Sequence, residues 1–118
     1  MTSKTLLYVG GCNRPTPYFA SAHGRGIVIF GFDGATTTPL GVQGGIENPT
    51  FLTAAPDGGT LYATSEVPEW NEGLVSAYRI DPETGSLTYL NRQSTLGSIT
   101  AHSSLDRAAR FVLVANYM

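Results

Sequence analysis

The chain has 118 residues, of which 42% are hydrophobic and only 14% are charged. Such a composition leaves little charge for a disordered segment and is typical of a globular chain with much buried sheet. Seven basic and nine acidic residues give a net charge of −2, and neither sign forms a run. Nucleic acid and an anionic membrane surface are therefore excluded as predicted partners.

Cysteine usage and apolar runs predict the compartment. Cys12 is the only cysteine, which excludes an intrachain disulfide. The first residues, MTSKTLLYVGG, lack the long apolar segment of a signal peptide. No apolar run approaches the roughly 20 residues that cross a bilayer. We therefore expect a cytoplasmic protein without a transmembrane helix.

Three predicted strands precede residue 48. The first is the β-rich run TLLYVG at residues 5–10, and the second is GIVIFGFD at residues 26–33. Between them lies a loop of about 15 residues that contains Pro and Gly and has no periodicity, too long for a tight hairpin. A weaker, glycine-containing strand follows near residues 40–43.

Residues 48–90 hold the one complete copy of a unit whose parts recur on both sides. Its predicted strands are FLTAA, TLYATS, GLVSAYRI and SLTYL, separated by the turn PDGG, a longer loop and the turn DPETG. Four antiparallel strands in about 43 residues match one blade of a β-propeller. When Asp33 is superposed on Asp81, residues 26–33 match the third strand of this unit.

After a turn-rich passage at residues 91–97, SITAHSSLD and ARFVLVANY predict two more strands. Superposing Asp106 on Asp57 aligns FVLV with LYAT after one extra turn residue, which gives a repeat of about 50 residues. The turn at residues 106–110 has neither Pro nor Gly.

The predicted fold class is all-β, with nine antiparallel strands and no helix, arranged as propeller blades of four strands. The blade pieces cover about residues 1–47, 48–97 and 98–118, which amounts to about two and a quarter blades. A ring normally closes with four to eight blades. We therefore expect either a part of a longer protein or a chain whose open faces are covered by other copies of itself.

Strand alternation places the long loops at residues 11–25 and 66–72 and the connectors near Asn48 and Ser98 on one face, here called the loop face. The short, stereotyped turns lie on the opposite face. Irregular loops on a rigid scaffold carry function more often than tight turns. The candidate site is therefore predicted on the loop face.

Charged loop residues there permit two interpretations each. Glu66, Glu69 and Glu72 around Trp70 could form a metal-binding or sugar-binding loop, or a solvated acidic loop. Arg14 and Arg25 could hold a phosphate or carboxylate, or be surface charges. His23, in the same long loop as Arg14, is predicted to be exposed.

His102 lies in the hydroxyl-rich run TAHSS, in the first strand of its blade and therefore nearest the propeller axis. It is either a buried, hydrogen-bonded histidine or an imidazole that lines a central pocket as base or donor. Asn116 and Tyr117 follow a second strand and point to the same face. No nucleophile elbow, Walker loop, dinucleotide fingerprint or Cys-His metal set is present, so neither a cofactor nor a metal is predicted.

In order, the segments LYVG, NPTFLTAAPDGGTLYATSE, GLVSAYRIDPETGSL, GSITAHSSLD and FVLVANY resemble the lactonase family that includes the propeller-type 6-phosphogluconolactonases and the carboxy-muconate cyclases. The resemblance covers nearly the whole chain. It implies a seven-bladed propeller hydrolase that opens a sugar lactone, with 6-phosphogluconolactone to 6-phosphogluconate in the pentose phosphate pathway as the leading reaction.

The resemblance also implies roles. Glu66 and His102 match catalytic positions, where a base activates water and cationic donors stabilise the oxyanion. Asn116 and Tyr117 match the family's ANY and, with Arg14, are expected to bind substrate. The family's further catalytic candidates lie on later blades, so this chain alone is expected to be inactive. The alternative is a non-catalytic blade module that binds a ligand or self-associates.

Overall fold

The computed structural model describes residues 4–118, so Met1, Thr2 and Ser3 of the predicted first blade piece lie outside it. The described part forms nine strands and no helix, which confirms the all-β prediction. None of it forms a helix long and apolar enough to cross a membrane. The strands are β1 (Thr5–Val9), β2 (Ile27–Phe32), β3 (Thr37–Gln43), β4 (Leu52–Ala54), β5 (Thr60–Ser65), β6 (Leu74–Ile80), β7 (Leu87–Ser94), β8 (Thr100–Leu105) and β9 (Val112–Asn116).

The strands form three antiparallel sheets, each in simple chain order. The first sheet is β1-β2-β3, the second is β4-β5-β6-β7 and the third is β8-β9. This distribution of three, four and two strands is the predicted one. Strand β8 packs against β4 and β5, which sets the third sheet against the second.

Two strand bounds were predicted wrongly. β7 continues to Ser94, through part of the predicted turn-rich passage, and β3 begins at Thr37 rather than near residue 40. The register shifts between Ala77 and Tyr78, and a similar irregularity interrupts the pairing of β2 with β3. A bulge lets the outer strand keep pairing beyond the irregularity, and local composition does not signal it.

The hydrophobic core lies between the first and second sheets. Ile27, Leu61 and Tyr78 are at most 2% exposed, and Ile46, Ala63 and Ile80 complete the buried cluster. The Tyr8 hydroxyl donates a 2.7 Å hydrogen bond to the Gly85 carbonyl, which joins β1 to the β6–β7 turn. Burial, with a smaller effect of the Asp81 charge, raises the pKa of Tyr8 and keeps this donor protonated.

Asp33 and Asp81 perform the same task in successive blades, as their superposition predicted. The Asp33 carboxylate accepts hydrogen bonds from the Thr36 and Ala35 N–H groups, and that of Asp81 from the Glu83 and Thr84 N–H groups. These donors hold the pKa of both carboxyls below the ordinary value. Each aspartate therefore fixes the turn after a third strand.

Residues with positive φ angles give the length of the repeat between the second and third blades. Leu96, Ile99 and Ala109 adopt left-handed backbone with φ of 60°, 54° and 55°. Each follows another residue of positive φ by the same interval of 51 residues: 45 to 96, 48 to 99 and 58 to 109. The second and third blades thus share one backbone path, although the earlier residues are Gly45, Asn48 and Gly58.

This interval corrects the superposition of Asp106 on Asp57. The Gly58 N–H donates to the Ala55 carbonyl at 2.9 Å, and the Ala109 N–H donates to the Asp106 carbonyl at 2.8 Å. Asp106 therefore stands where Ala55 does. The two turns are equally long, so the predicted extra turn residue was wrong.

We expect Ala109→Gly to stabilise the chain by up to about 1 kcal/mol, because a left-handed conformation costs an alanine about 1–2 kcal/mol and costs glycine little. The measurement is urea unfolding followed by circular dichroism. Ala108→Gly, at the neighbouring position without positive φ, is the control and should be neutral or destabilising. Equal effects of the two substitutions would show that the φ angle does not limit stability.

Candidate functional site

Asn48 is the structural centre of the loop face. Its side chain is fully buried, and its Oδ1 accepts hydrogen bonds from the N–H groups of Asn13 and Arg14 at 2.9 and 3.1 Å. Its Nδ2 donates to the Glu66 carbonyl at 3.0 Å. Asn13 reciprocates, since its Oδ1 accepts from the Asn48 N–H at 2.8 Å and its Nδ2 donates to the Ile46 carbonyl at 2.7 Å. One residue therefore joins both long loops to the connector.

The backbone at Asn48 explains the choice of residue. Its φ is 43°, in the left-handed region that asparagine tolerates better than most residues. Its short amide can then reach backbone groups that would otherwise be buried without partners. Sequence reasoning missed this role. The Asn-Pro dipeptide at residues 48–49 signals a turn but not its distant partners.

Glu66 directly follows β5, and its half-buried side chain is oriented by its neighbours. The Glu66 N–H donates to the Asn48 carbonyl at 3.1 Å, and its carboxylate accepts a hydrogen bond from the Thr50 hydroxyl. Burial, and then the Glu66 charge, raises the pKa of the nearby Cys12 thiol. A thiol that stays protonated is a weaker nucleophile than a thiolate.

His102 lies on β8 as predicted, but the interpretation of a buried, hydrogen-bonded histidine was wrong. Its side chain is exposed, and no hydrogen bond joins its ring to another of residues 4–118. The ring packs on Phe51, with ring centres 4.4 Å apart and planes tilted by 46°. A register irregularity between Thr100 and His102 turns His102 outward. Ser103 points inward instead, 2.7 Å from the Thr53 hydroxyl.

Two successive residues, Thr50 and Phe51, each contact one of the two catalytic candidates. Thr50 contacts the Glu66 carboxylate and Phe51, the next residue, contacts the His102 ring. Since Glu66 comes from the second sheet and His102 from the third, the pair lies where two blades meet. A carboxylate anchored by a hydroxyl can orient water, and an exposed imidazole can accept a proton from it.

The candidates occupy repeated backbone positions. The Tyr117 N–H donates to the Ile99 carbonyl at 2.9 Å, as the Glu66 N–H does to the Asn48 carbonyl. Glu66 and Tyr117 are 51 residues apart, as are Phe51 and His102, the same interval that separates Asn48 from Ile99. The blade therefore offers two positions for functional side chains, one near the start of the first strand and one following the second.

Asn116 and Tyr117 differ in whether their side chains are free to contact a ligand. The Asn116 Oδ1 accepts from the Thr100 hydroxyl at 2.6 Å, and its Nδ2 donates to the Thr95 carbonyl at 3.0 Å. Both ends of this amide hold the connector between β7 and β8. The Tyr117 side chain is 81% exposed on the loop face and is free to contact a ligand.

The Arg14 side chain contacts Glu47 and Trp70 rather than His102. Its Nη1 is 3.5 Å from Glu47 Oε2, and its guanidinium carbon is 6.0 Å from the Trp70 ring centre. Arg14 is joined to the rest of the site only by its backbone N–H, which donates a hydrogen bond to the Asn48 Oδ1. Arg25 and His23 are exposed, as the latter was predicted to be.

The loop glutamates do not converge. The Glu72 carboxylate accepts a hydrogen bond from the Ser94 hydroxyl, whereas Glu66 bonds Thr50. Within residues 4–118, no group of three or more His, Cys, Asp or Glu side chains could hold a metal ion. The metal-loop interpretation of Glu66, Glu69 and Glu72 therefore has no geometric support.

Comparison with known proteins identifies the fold. The family model described as "Lactonase, 7-bladed beta-propeller" matches residues 6–118. The chain belongs to this family. A solved structure of a periplasmic gluconolactonase from Pseudomonas aeruginosa superposes with a TM-score of 0.80 at 32% identity over 97% of the chain. A solved protein from Bacteroides fragilis gives a TM-score of 0.82 at 27% identity over 98% of the chain.

Curated relatives have similar names. A 6-phosphogluconolactonase from Formosa agariphila is 32% identical over 96 residues, or 80% of the chain. One from Bacillus subtilis is 39% identical over 70 residues, or 59% of the chain. The chain spans 27% and 20% of the lengths of these relatives, and 30% and 31% of the Bacteroides and Pseudomonas structures. It therefore corresponds to under a third of each of these propellers.

We expect Asn48→Ala to lower the free energy of unfolding by about 2–4 kcal/mol, since it leaves buried N–H groups unpaired and places alanine in left-handed backbone. Asn48→Gly should cost about 1 kcal/mol less, because it keeps the conformation and loses only the hydrogen bonds. Urea unfolding measures both.

Asn71→Ala is the matched control, since this exposed loop asparagine should change stability by less than about 0.5 kcal/mol. A loss at Asn48 no larger than that at Asn71 would contradict the central role of Asn48.

Proposed function

We propose that this chain supplies one part of the site of a lactonase that converts 6-phosphogluconolactone to 6-phosphogluconate in the pentose phosphate pathway. The single observation that carries the proposal is that successive residues, Thr50 and Phe51, contact Glu66 and His102 respectively, at the junction of two blades of a lactonase-family propeller. The names of the Formosa and Bacillus relatives support this substrate.

In this proposal His102 is the general base. It accepts a proton from water as the water oxygen adds to the lactone carbonyl carbon, and the ester C–O bond of the ring then breaks. The ring oxygen leaves as a hydroxyl after it takes up a proton, which the imidazolium can return. The Glu66 carboxylate, anchored by Thr50, orients the water in this proposal.

The remaining residues are proposed to hold the substrate. The exposed Tyr117 hydroxyl can bond the sugar, and the Arg14 guanidinium can pair with the phosphate. Asn116 is proposed to position the residues around the substrate without contacting the substrate. The amide oxygen of Asn116 is already bonded to Thr100 and the amide nitrogen to Thr95.

The activity test is a chimera in which this chain replaces the matching segment of the Formosa agariphila relative. We expect the chimera to hydrolyse 6-phosphogluconolactone and His102→Ala to lower kcat/KM by about a hundredfold or more, the range of general-base contributions. His23→Ala, at the other histidine, which is exposed, is the control and should have no effect. A folded, active chimera that is indifferent to His102→Ala would refute the assigned base.

The chain by itself is proposed to be inactive, because Glu66 and His102 come with few of the cationic groups that an oxyanion needs. The check is the rate of lactone hydrolysis with the 118-residue chain present. A rate above the spontaneous one would show that these blades already contain a working site.

A second candidate is self-association with no catalysis. Tyr62, Val75 and Val114 line a cavity of about 330 Å³ between the second sheet and the two-stranded third sheet. The adjacent Leu96 is 84% exposed. A second copy of the chain could cover this apolar surface. Light scattering that finds only monomer at high protein concentration would exclude this function.

A cytoplasmic location is proposed with the pathway. The Pseudomonas structure is of a periplasmic gluconolactonase by its name, so the periplasm is the alternative location. Cell fractionation decides between the two compartments.

A further inference from the structure

A second concave site lies between the first and second sheets. Its walls are the end of β3 and the connector that follows, the loop after β5, and the strands β6 and β7. The cavity measures about 480 Å³, within the range of about 300–1,000 Å³ that small-ligand sites occupy. Its lining shares no residue with Glu66, His102, Asn116 and Tyr117.

Three buried hydroxyl groups in this cavity have no protein partner. Ser65, Tyr78 and Ser76 are 1%, 2% and 4% exposed, and none forms a side-chain hydrogen bond with another of residues 4–118. Every fully enclosed side-chain nitrogen or oxygen of the described chain does have a partner. The three hydroxyls therefore reach the open space of the cavity, where a ligand can bond them.

One cation, Arg92, one anion, Glu47, and two aromatic rings also line the cavity. The Arg92 guanidinium forms no ion pair within residues 4–118, whereas the Glu47 carboxylate of the lining is paired with Arg14 at 3.5 Å. Burial raises the pKa of Tyr78, the neighbouring Tyr89 raises it further, and the Arg92 charge opposes this rise to a smaller extent. Trp70 and Tyr89 offer ring surfaces, the latter 52% exposed.

These groups together indicate a class of ligand. Buried hydroxyls match the hydroxyls of a sugar, and aromatic rings match its apolar faces. An unpaired arginine matches a carboxylate or phosphate. We propose that this cavity binds an anionic monosaccharide, either a sugar acid or a sugar phosphate, through Arg92, Tyr78 and the two serines.

Trp70 makes the proposal directly testable, since it is the only tryptophan of the chain and lines the cavity. Sodium D-gluconate and D-glucose 6-phosphate should each change the Trp70 fluorescence of the 118-residue chain in a saturable way. Neutral D-glucose at the same concentration should give a much smaller change. Comparison of the two anions distinguishes a carboxylate ligand from a phosphate ligand.

Variants locate the binding. Arg92→Gln should weaken the binding of the anion about tenfold or more, because it removes a charge-assisted hydrogen bond. Tyr78→Phe removes one hydroxyl and should weaken it by about threefold or more. Arg79→Gln is the matched control, since this exposed arginine on β6 lies outside the lining and should leave the affinity unchanged.

Circular dichroism of each variant confirms that its fold is retained. As a second readout, the NMR amide signals of Ser65 and Ser76 in the unsubstituted chain should shift on addition of the anion. The absence of saturable binding of both anions would overturn the proposal. So would an equal loss of affinity in Arg79→Gln, or a D-glucose affinity equal to that of the anions. None of these results depends on lactone hydrolysis, which the chimera tests separately.

Discussion

The loop face depends on one buried amide. Asn48 holds residues on two different loops, one 35 positions before it and one 18 positions after it, and it does so from a backbone conformation that few residues tolerate. Without it, the N–H groups of Asn13 and Arg14 would be buried unpaired at the junction of the first two sheets. Asn48 also fixes the placement of Glu66, because both the N–H and the carbonyl of Glu66 form hydrogen bonds with Asn48.

The third blade reaches the same backbone path by other means. Ile99 occupies the position of Asn48 but has no polar group to offer. There the Thr95, Thr100 and Asn116 side chains form a network within the connector, with the two threonine hydroxyls 2.7 Å apart. The backbone path of the connector is therefore the same in both blades, although different side chains stabilise it in each.

Sequence reasoning predicted the strand number and the sheet grouping because alternation and turn chemistry are local signals. It placed Asp33 on Asp81 correctly, since both cap the same turn. It failed wherever a bulge intervened, because one inserted residue lengthens a paired strand, as in β7, and reverses which side chain faces out, as at His102. The repeat of 51 residues was obscured because Leu, Ile and Ala stand where Gly, Asn and Gly stand.

The sequence indicated Glu66, His102 and Tyr117 as candidates for the site. It did not indicate Asn48, Thr50 and Phe51, because their roles come from contacts with residues that are distant in the chain.

Phe51 and His102 occupy equivalent positions in two successive blades. In a seven-bladed ring, a side chain at this position keeps its depth and its distance from the axis whichever blade carries it. Exchanging phenylalanine and histidine between the two blades would thus rotate the imidazole by one seventh of a turn about the axis and place it among different neighbouring side chains.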